Sequence, residues 1–156
     1  MVAQAHVWVQ GYRPGALAAL GFGAHALAAL RPGLVQVSLS AYGDSGPWAG
    51  KRGFDSLVQA ATGLNVDEAS AAGAEQPRAL PMQILDMASG ALMAWGAQVA
   101  LLRQRREGGS WHVRVSLART AEWLRALGRV DGGLSGPKAD FAGGALERFD
   151  TDWGVL

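Results

Sequence analysis

The sequence predicts an α/β layered domain, on three observations. Runs that alternate apolar with polar residues and carry β-branched or aromatic side chains occur at 6–10, 34–42 and 111–117. Stretches of helical character separate them, and Gly and Pro mark the joints. The succession strand, helix, strand, helix, helix, strand, helix is that of layered α/β domains, whose ligands bind beyond the carboxyl ends of strands.

The run "HVWVQ" is the first strand, closed by Gly11, Pro14 and Gly15. Residues 16–33 give two short Ala/Leu helical pieces split by Gly21 and Gly23, with Pro32 and Gly33 as the stop. In "LVQVSLSAY", the clearest strand, Val35, Val37 and Leu39 share one face and Gln36, Ser38 and Ser40 the other. A Gly/Pro loop covers 43–53, and "FDSLVQAATG" follows as a helix of about two turns. Residues 64–82 mix small, polar and Pro residues without periodicity, which predicts a mobile surface loop. The strongest helix spans 86–105; it is nearly all apolar or small from Met87 to Leu102, the pattern of a central helix buried on every side. "WHVRVSL" is the third strand and "ARTAEWLRALGR" an amphipathic helix. The domain body is expected over 1–130, with 131–156 a Gly-rich linker or the start of a following segment.

Composition narrows the function classes. With 14 Lys and Arg against 13 Asp and Glu, charge implies neither a nucleic-acid track nor a polybasic membrane patch. The absence of cysteine rules out disulfides, thiolate zinc sites and thiol nucleophiles, and fits a reducing, cytoplasmic setting. The N-terminus lacks the pattern of a secretory signal, and no apolar run approaches the roughly 20 residues of a membrane span, so no membrane role is expected.

Several motifs compete for attention. Gly43-Asp44-Ser45-Gly46-Pro47 imitates the nucleophile loop of a serine protease. That chemistry needs a base within reach and a third group to orient it, and the hydrolase elbow has Gly where this chain has Pro47, so a turn is favoured. His6, His25 and His112 show no metal-ligand spacing, and "GFGAHA" follows a helix rather than a strand, unlike a dinucleotide fingerprint. Arg13 and Arg52 lie in Gly-rich loops where guanidinium and backbone N–H groups hold phosphate, with Tyr12 and Phe54 beside them; solvated loop charges and simple packing are the plainer alternatives. Asp86, between Leu85 and Met87 at the start of the apolar helix, supports two readings. It is either an N-cap or a nucleophile whose carboxylate is stabilised by the helix terminus and poorly solvated by its neighbours.

In order and spacing, "HVWVQGYRPGALAALGFG", "RPGLVQVSLSAYGDSGPWAGKRGFDSLVQAATGL" and "LPMQILDMASGALMAWGAQVALLRQRREGGSWHVRVSL" resemble the class III CoA-transferase family, over about residues 6–118. The Arg-Pro-Gly turn, Ser-x-x-Gly-x-x-Gly-Pro turn, Gly-x-Asp helix and Asp-x-x-x-Gly helix start carry the likeness. It implies a three-layer Rossmann-like large-domain portion, incomplete at both ends, and an interlocked homodimer or a complementing chain. It implies a transferase that moves CoA from an acyl-CoA to a carboxylic acid, with CoA as substrate rather than as a bound cofactor. The family's nucleophilic aspartate falls on Asp86, and its CoA contacts fall on Gly11, Tyr12, Arg13, Arg52, Gly53, Phe54 and Asp55. Gly11 stands where Asn is common, and Ala19 where some members place a CoA-binding Arg. The family also contains α-methylacyl-CoA racemases, which use a Gly-His-Asp motif; here it reads Gly53-Phe54-Asp55, and Phe cannot relay a proton. An inactive remnant that binds CoA or a partner chain is the other alternative.

Overall fold

The computed structural model describes residues 1–133, 150–152 and 154–155. Three strands, β1 (Val7–Gln10), β2 (Val35–Ser40) and β3 (Trp111–Ser116), form one parallel sheet in that order. Parallel pairing cannot be closed by a hairpin, and two helical crossovers supply the connections. The first holds α1 (Ala16–Ala19) and α2 (Ala24–Leu30), split at Gly21 and Gly23 as the sequence predicts. The second holds α3 (Asp55–Ala61), α4 (Leu64–Ala71) and α5 (Ile84–Glu107). After β3 the chain passes directly into α6 (Leu117–Ala126), whose N-cap Ser116 accepts a hydrogen bond from the Arg119 amide. Most of the Gly-rich 131–156 stretch lies outside the described residues; within it β4 (Asp150–Thr151) pairs antiparallel with β5 (Gly154–Val155).

The expected two-faced pattern of β2 positions the layers. Val35 and Val37 pack against Ala97, Ala100 and Leu101 of α5. On the opposite face the Gln36 amide donates to the Ala24 carbonyl at 2.9 Å, pinning the start of α2 to the sheet. Gln36 is buried because β2 is the central strand, covered on both sides. A second core joins Val58 of α3, Leu64 of α4, Leu85 of α5 and Leu117 and Ala121 of α6. Burying one such Leu or Val contributes about 1.5–3 kcal/mol. This core fixes the start of α5 against α3.

Two expectations are corrected. Residues 64–71 are helical rather than part of a mobile loop, leaving only 72–83 without helix or strand. Leu64 and Ala69 are buried, while Asp67 and Glu68 pair with Arg125 and Arg129 at 2.8 and 3.5 Å. Two turns offer too few repeats for a helical period to emerge, so tertiary packing decides. Nor is α5 buried all round. One face lies on the sheet, but Met87, Trp95 and Leu102 are exposed in this chain. At 24 residues, α5 is also long and apolar enough, on length and composition alone, to cross a membrane; here it packs against β2 and β3.

Gly96 sets the closeness of that packing. A Cβ there would lie 2.7 Å from Val113 Cγ1, and a β-branched side chain at a sheet position has little freedom to withdraw. Gly96→Ala gains up to about 1 kcal/mol of helix propensity, against about 1–3 kcal/mol for overpacking. The clash wins, so thermal unfolding of Gly96→Ala is expected to occur a few degrees below wild type; an equal or higher midpoint would contradict it.

Candidate active site

The carboxyl ends of all three strands open onto one cleft of about 730 Å³. Just past β1 the Gln10 side chain accepts from the Tyr12 amide at 2.7 Å and shapes the turn. Tyr12 and Arg13 thereby line the cleft, and Gly15, with φ +83°, leads from this turn into α1. Gly11, in the same turn, is exposed. From the other two strands come Ser38, His112 and Arg114. Ser38 Oγ and His112 Nε2 are hydrogen-bonded at 2.8 Å, and Arg114 donates to Asp44 at 2.6 Å. Burial first, and Arg114 second, lower the His112 pKa, with Asp44 acting the other way, so the net effect favours the neutral imidazole. Arg13 and Arg119 add positive charge, which suits an anionic ligand.

Ser45 sits between Gly43 and Gly46, both at positive φ, where L side chains are disfavoured. Among the described residues the hydroxyl paired with a histidine is that of Ser38, and the turn reading of residues 43–47 stands.

The second group gathers at the start of α5. Gly53 packs so tightly that a Cβ would lie 2.9 Å from both Ala41 Cβ and Val58 Cγ2, which excludes larger residues. Phe54, the N-cap residue of α3, is 82% exposed. Asp55 beside it is fully buried. Its Oδ1 accepts from the Gln59 amide and its Oδ2 accepts from the backbone N–H of Asp86 at 2.8 Å. Both oxygens are thus engaged inside the fold, where Asp55 holds the helix start rather than facing solvent.

That bond also corrects the N-cap reading of Asp86. The cap position of α5 belongs to Gln83, without a side-chain bond, and Asp86 is the third helical residue. The free N–H that a local cap would satisfy is satisfied from α3. As the third helical residue Asp86 is not the cap, and its side chain is exposed. Partial burial and then the negative charge of Asp55 raise its pKa above the usual aspartate value. A carboxylate so placed is more basic than an ordinary one and a stronger nucleophile while ionised.

Tyr12 and Arg13 therefore lie together in the cleft, and Gly53, Phe54, Asp55 and Asp86 lie together at the α3–α5 junction. Neither Arg52 nor Asp86 is part of the cleft wall. Sequence reasoning missed Gln59, although Asp55 and Gln59 are four apart on one helix, a spacing at which such side chains meet. His112, set aside for want of metal-ligand spacing, and Ser38, placed on one face of β2, have side chains that meet across the paired strands β2 and β3.

A parallel sheet between helical layers, with a positively lined cleft at its carboxyl ends and an accessible carboxylate in the first turn of the longest helix, defines a three-layer α/β protein. The model of CoA-transferase family III matches residues 1–140, and the chain belongs to that family. It is 34% identical over 122 residues to a probable fatty acyl-CoA transferase of Mycobacterium tuberculosis, covering 78% of this chain and 30% of the relative. It is 32% identical over 117 residues to the acetyl-CoA:oxalate CoA-transferase of Acetobacter aceti, covering 75% and 30%. The crystal structure of the mycobacterial protein superposes with a TM-score of 0.73 at 32% identity, over 81% of this chain and 35% of that one. A CAIB/BAIF family protein of Brucella suis shares the fold, with a TM-score of 0.72 at 24% identity, over 87% and 35%. The chain thus spans about a third of the length of these relatives.

Proposed function

We propose that this chain carries the nucleophile-bearing part of a CoA-transferase acting between an acyl-CoA and a carboxylic acid, with Asp86 as nucleophile. The observation that carries the proposal is the division of labour between two aspartates. Buried Asp55 anchors the helix start through the Asp86 backbone N–H, while the Asp86 carboxylate itself is exposed and is made more basic by partial burial and by the charge of Asp55. The names of the relatives support the reaction class.

An Asp86 oxygen attacks the thioester carbonyl, the C–S bond breaks, and a mixed anhydride and CoA thiolate form. The thiolate attacks the aspartyl carbonyl, releasing the donor carboxylate and leaving an aspartyl-CoA thioester. An acceptor carboxylate attacks that thioester, expelling thiolate and forming a new anhydride. The thiolate then takes the acceptor's acyl group and restores Asp86. No step requires a net proton transfer. The amides of Asp86 and Met87 are already bonded, to Asp55 and to the Gln83 carbonyl, so oxyanion stabilisation falls to other donors. Tyr12 and Arg13, with Arg52, Gly53 and Phe54, are assigned to CoA: the guanidinium groups to phosphate, the rings to the base, and Gly53 to the close approach of the backbone. Phe54 has no group that titrates, which weighs against racemisation through the Gly53-Phe54-Asp55 motif.

Trapping tests the assignment. With acyl-CoA and hydroxylamine, the full chain is expected to yield a hydroxamate at Asp86, seen by peptide mass spectrometry. Turnover with an unmodified Asp86 would sink the proposal.

A further inference from the structure

We infer that Gln59 is a positioning residue for the transfer reaction, acting on Asp86 through Asp55; this rests on the assignment of Asp86 as nucleophile. Gln59 is 3% exposed and touches three groups. Its Nε2 donates to Asp55 Oδ1 and to the Met82 carbonyl, the latter at 3.1 Å, and its Oε1 accepts from the Leu80 amide at 3.4 Å. With both N–H groups and the oxygen engaged, the amide plane has one orientation. It therefore fixes two things that meet at Asp86: the rotation of the Asp55 carboxylate, which presents Oδ2 to the Asp86 N–H, and the path of residues 80–82 into α5.

The residue type matters as much as its place. A neutral amide satisfies Asp55 Oδ1 without cancelling the charge of that carboxylate, whereas Lys or Arg there would neutralise the field that Asp86 feels. An apolar residue of similar length would fill the space but release the carboxylate to rotate. Among the described residues the charged side chain bonded to Gln59 is Asp55 on α3, and Asp86 on α5 follows through the 2.8 Å bond. Gln59 touches no reacting atom, so its effect belongs to kcat rather than to acyl-CoA binding.

The experiment uses the full chain, an acyl-CoA and hydroxylamine trapping, with rates expressed per folded active site. Wild type is trapped first; failure to label Asp86 there removes the nucleophile assignment and overturns this role of Gln59 with it. Given labelling, Gln59→Met is expected to lower kcat by about 10- to 100-fold with KM for acyl-CoA held within about threefold, as misplacement of a reacting group does. Gln59→Glu places a second carboxylate against Asp55. Its activity relative to wild type is expected to rise as pH falls from about 8 to about 5.5, because a proton shared by the pair restores the missing donor. A Gln59→Met kcat within about twofold of wild type overturns the inference, as does a loss confined to KM. Should Gln59→Met fail to fold, the Gln59→Glu ratio decides alone, and a ratio independent of pH overturns it.

Discussion

Replacing Asp86 by Asn is expected to reduce CoA transfer by about a thousandfold or more while leaving the fold at least as stable as before. Loss of a covalent nucleophile removes the route itself rather than one contact along it, which is why the effect is large. Stability moves the other way, and the sign follows from the raised pKa. A group whose pKa is higher in the folded than in the unfolded state is ionised at neutral pH at a cost to folding. That cost is relieved as pH falls through the folded value. Asn removes it at every pH, together with the repulsion from Asp55. The backbone N–H at this position still finds Asp55 Oδ2, because that bond does not involve the side chain being replaced. Transfer assays and thermal melts on the same preparation check both halves. Transfer within about tenfold of wild type would exclude the nucleophile role; a melt many degrees lower would show that the new amide disturbs the helix start. In wild type, kcat should fall on acidification through a pKa above that of an ordinary aspartate, since only the ionised carboxylate attacks.

Asp55→Ala is expected to have the largest effect on stability, about 2–4 kcal/mol. Two donors inside the fold, the Gln59 amide and the Asp86 N–H, lose their acceptor at once, and each unsatisfied group costs about 1–3 kcal/mol. For a chain of this size that lowers the melting midpoint by roughly 5–15 °C. Surface ion pairs give the contrast. Arg114–Asp44 is well formed at 2.6 Å, yet its side chains are 61% and 51% exposed. Such pairs contribute about 0–1 kcal/mol. Parallel chemical denaturation of Asp55→Ala and Asp44→Ala makes the comparison. Equal midpoints would mean that the Asp55 junction holds nothing together.

The fold was legible where a short period repeats. β2 shows its two faces in six residues, and the breaks at Gly21 and Gly33 fall where the backbone turns to positive φ. Asp86 was legible as an acid set in an apolar helix start. What stayed hidden is what long-range contacts decide. The partner of the Asp86 N–H is 31 positions away, so a local cap was the natural first choice. The two turns of α4 are held by Leu64 in the core and by arginines of and beyond α6, neither of which its own composition declares. For α5 the sequence shows that every side is apolar, but not how many sides are covered. Trp95 and Ala100 belong to the same apolar run; in the structure Trp95 is exposed, while Ala100 is buried.

The sheet's connectivity also bears on how the chain assembles. Ser38 and His112 meet across the β2–β3 ladder although 74 positions separate them, and everything from α3 to α5 lies in the loop between. Closing so long a loop costs conformational entropy before the ladder repays it, and contacts of high sequence separation slow folding. Helices α3 and α4, adjacent in sequence and in space, face no such delay. Pairing β3 with β2 therefore carries the larger loop-closure cost, and the cleft that the carboxyl end of β3 completes depends on that contact, whereas the Asp55–Asp86 junction closes over a shorter span of 31 positions.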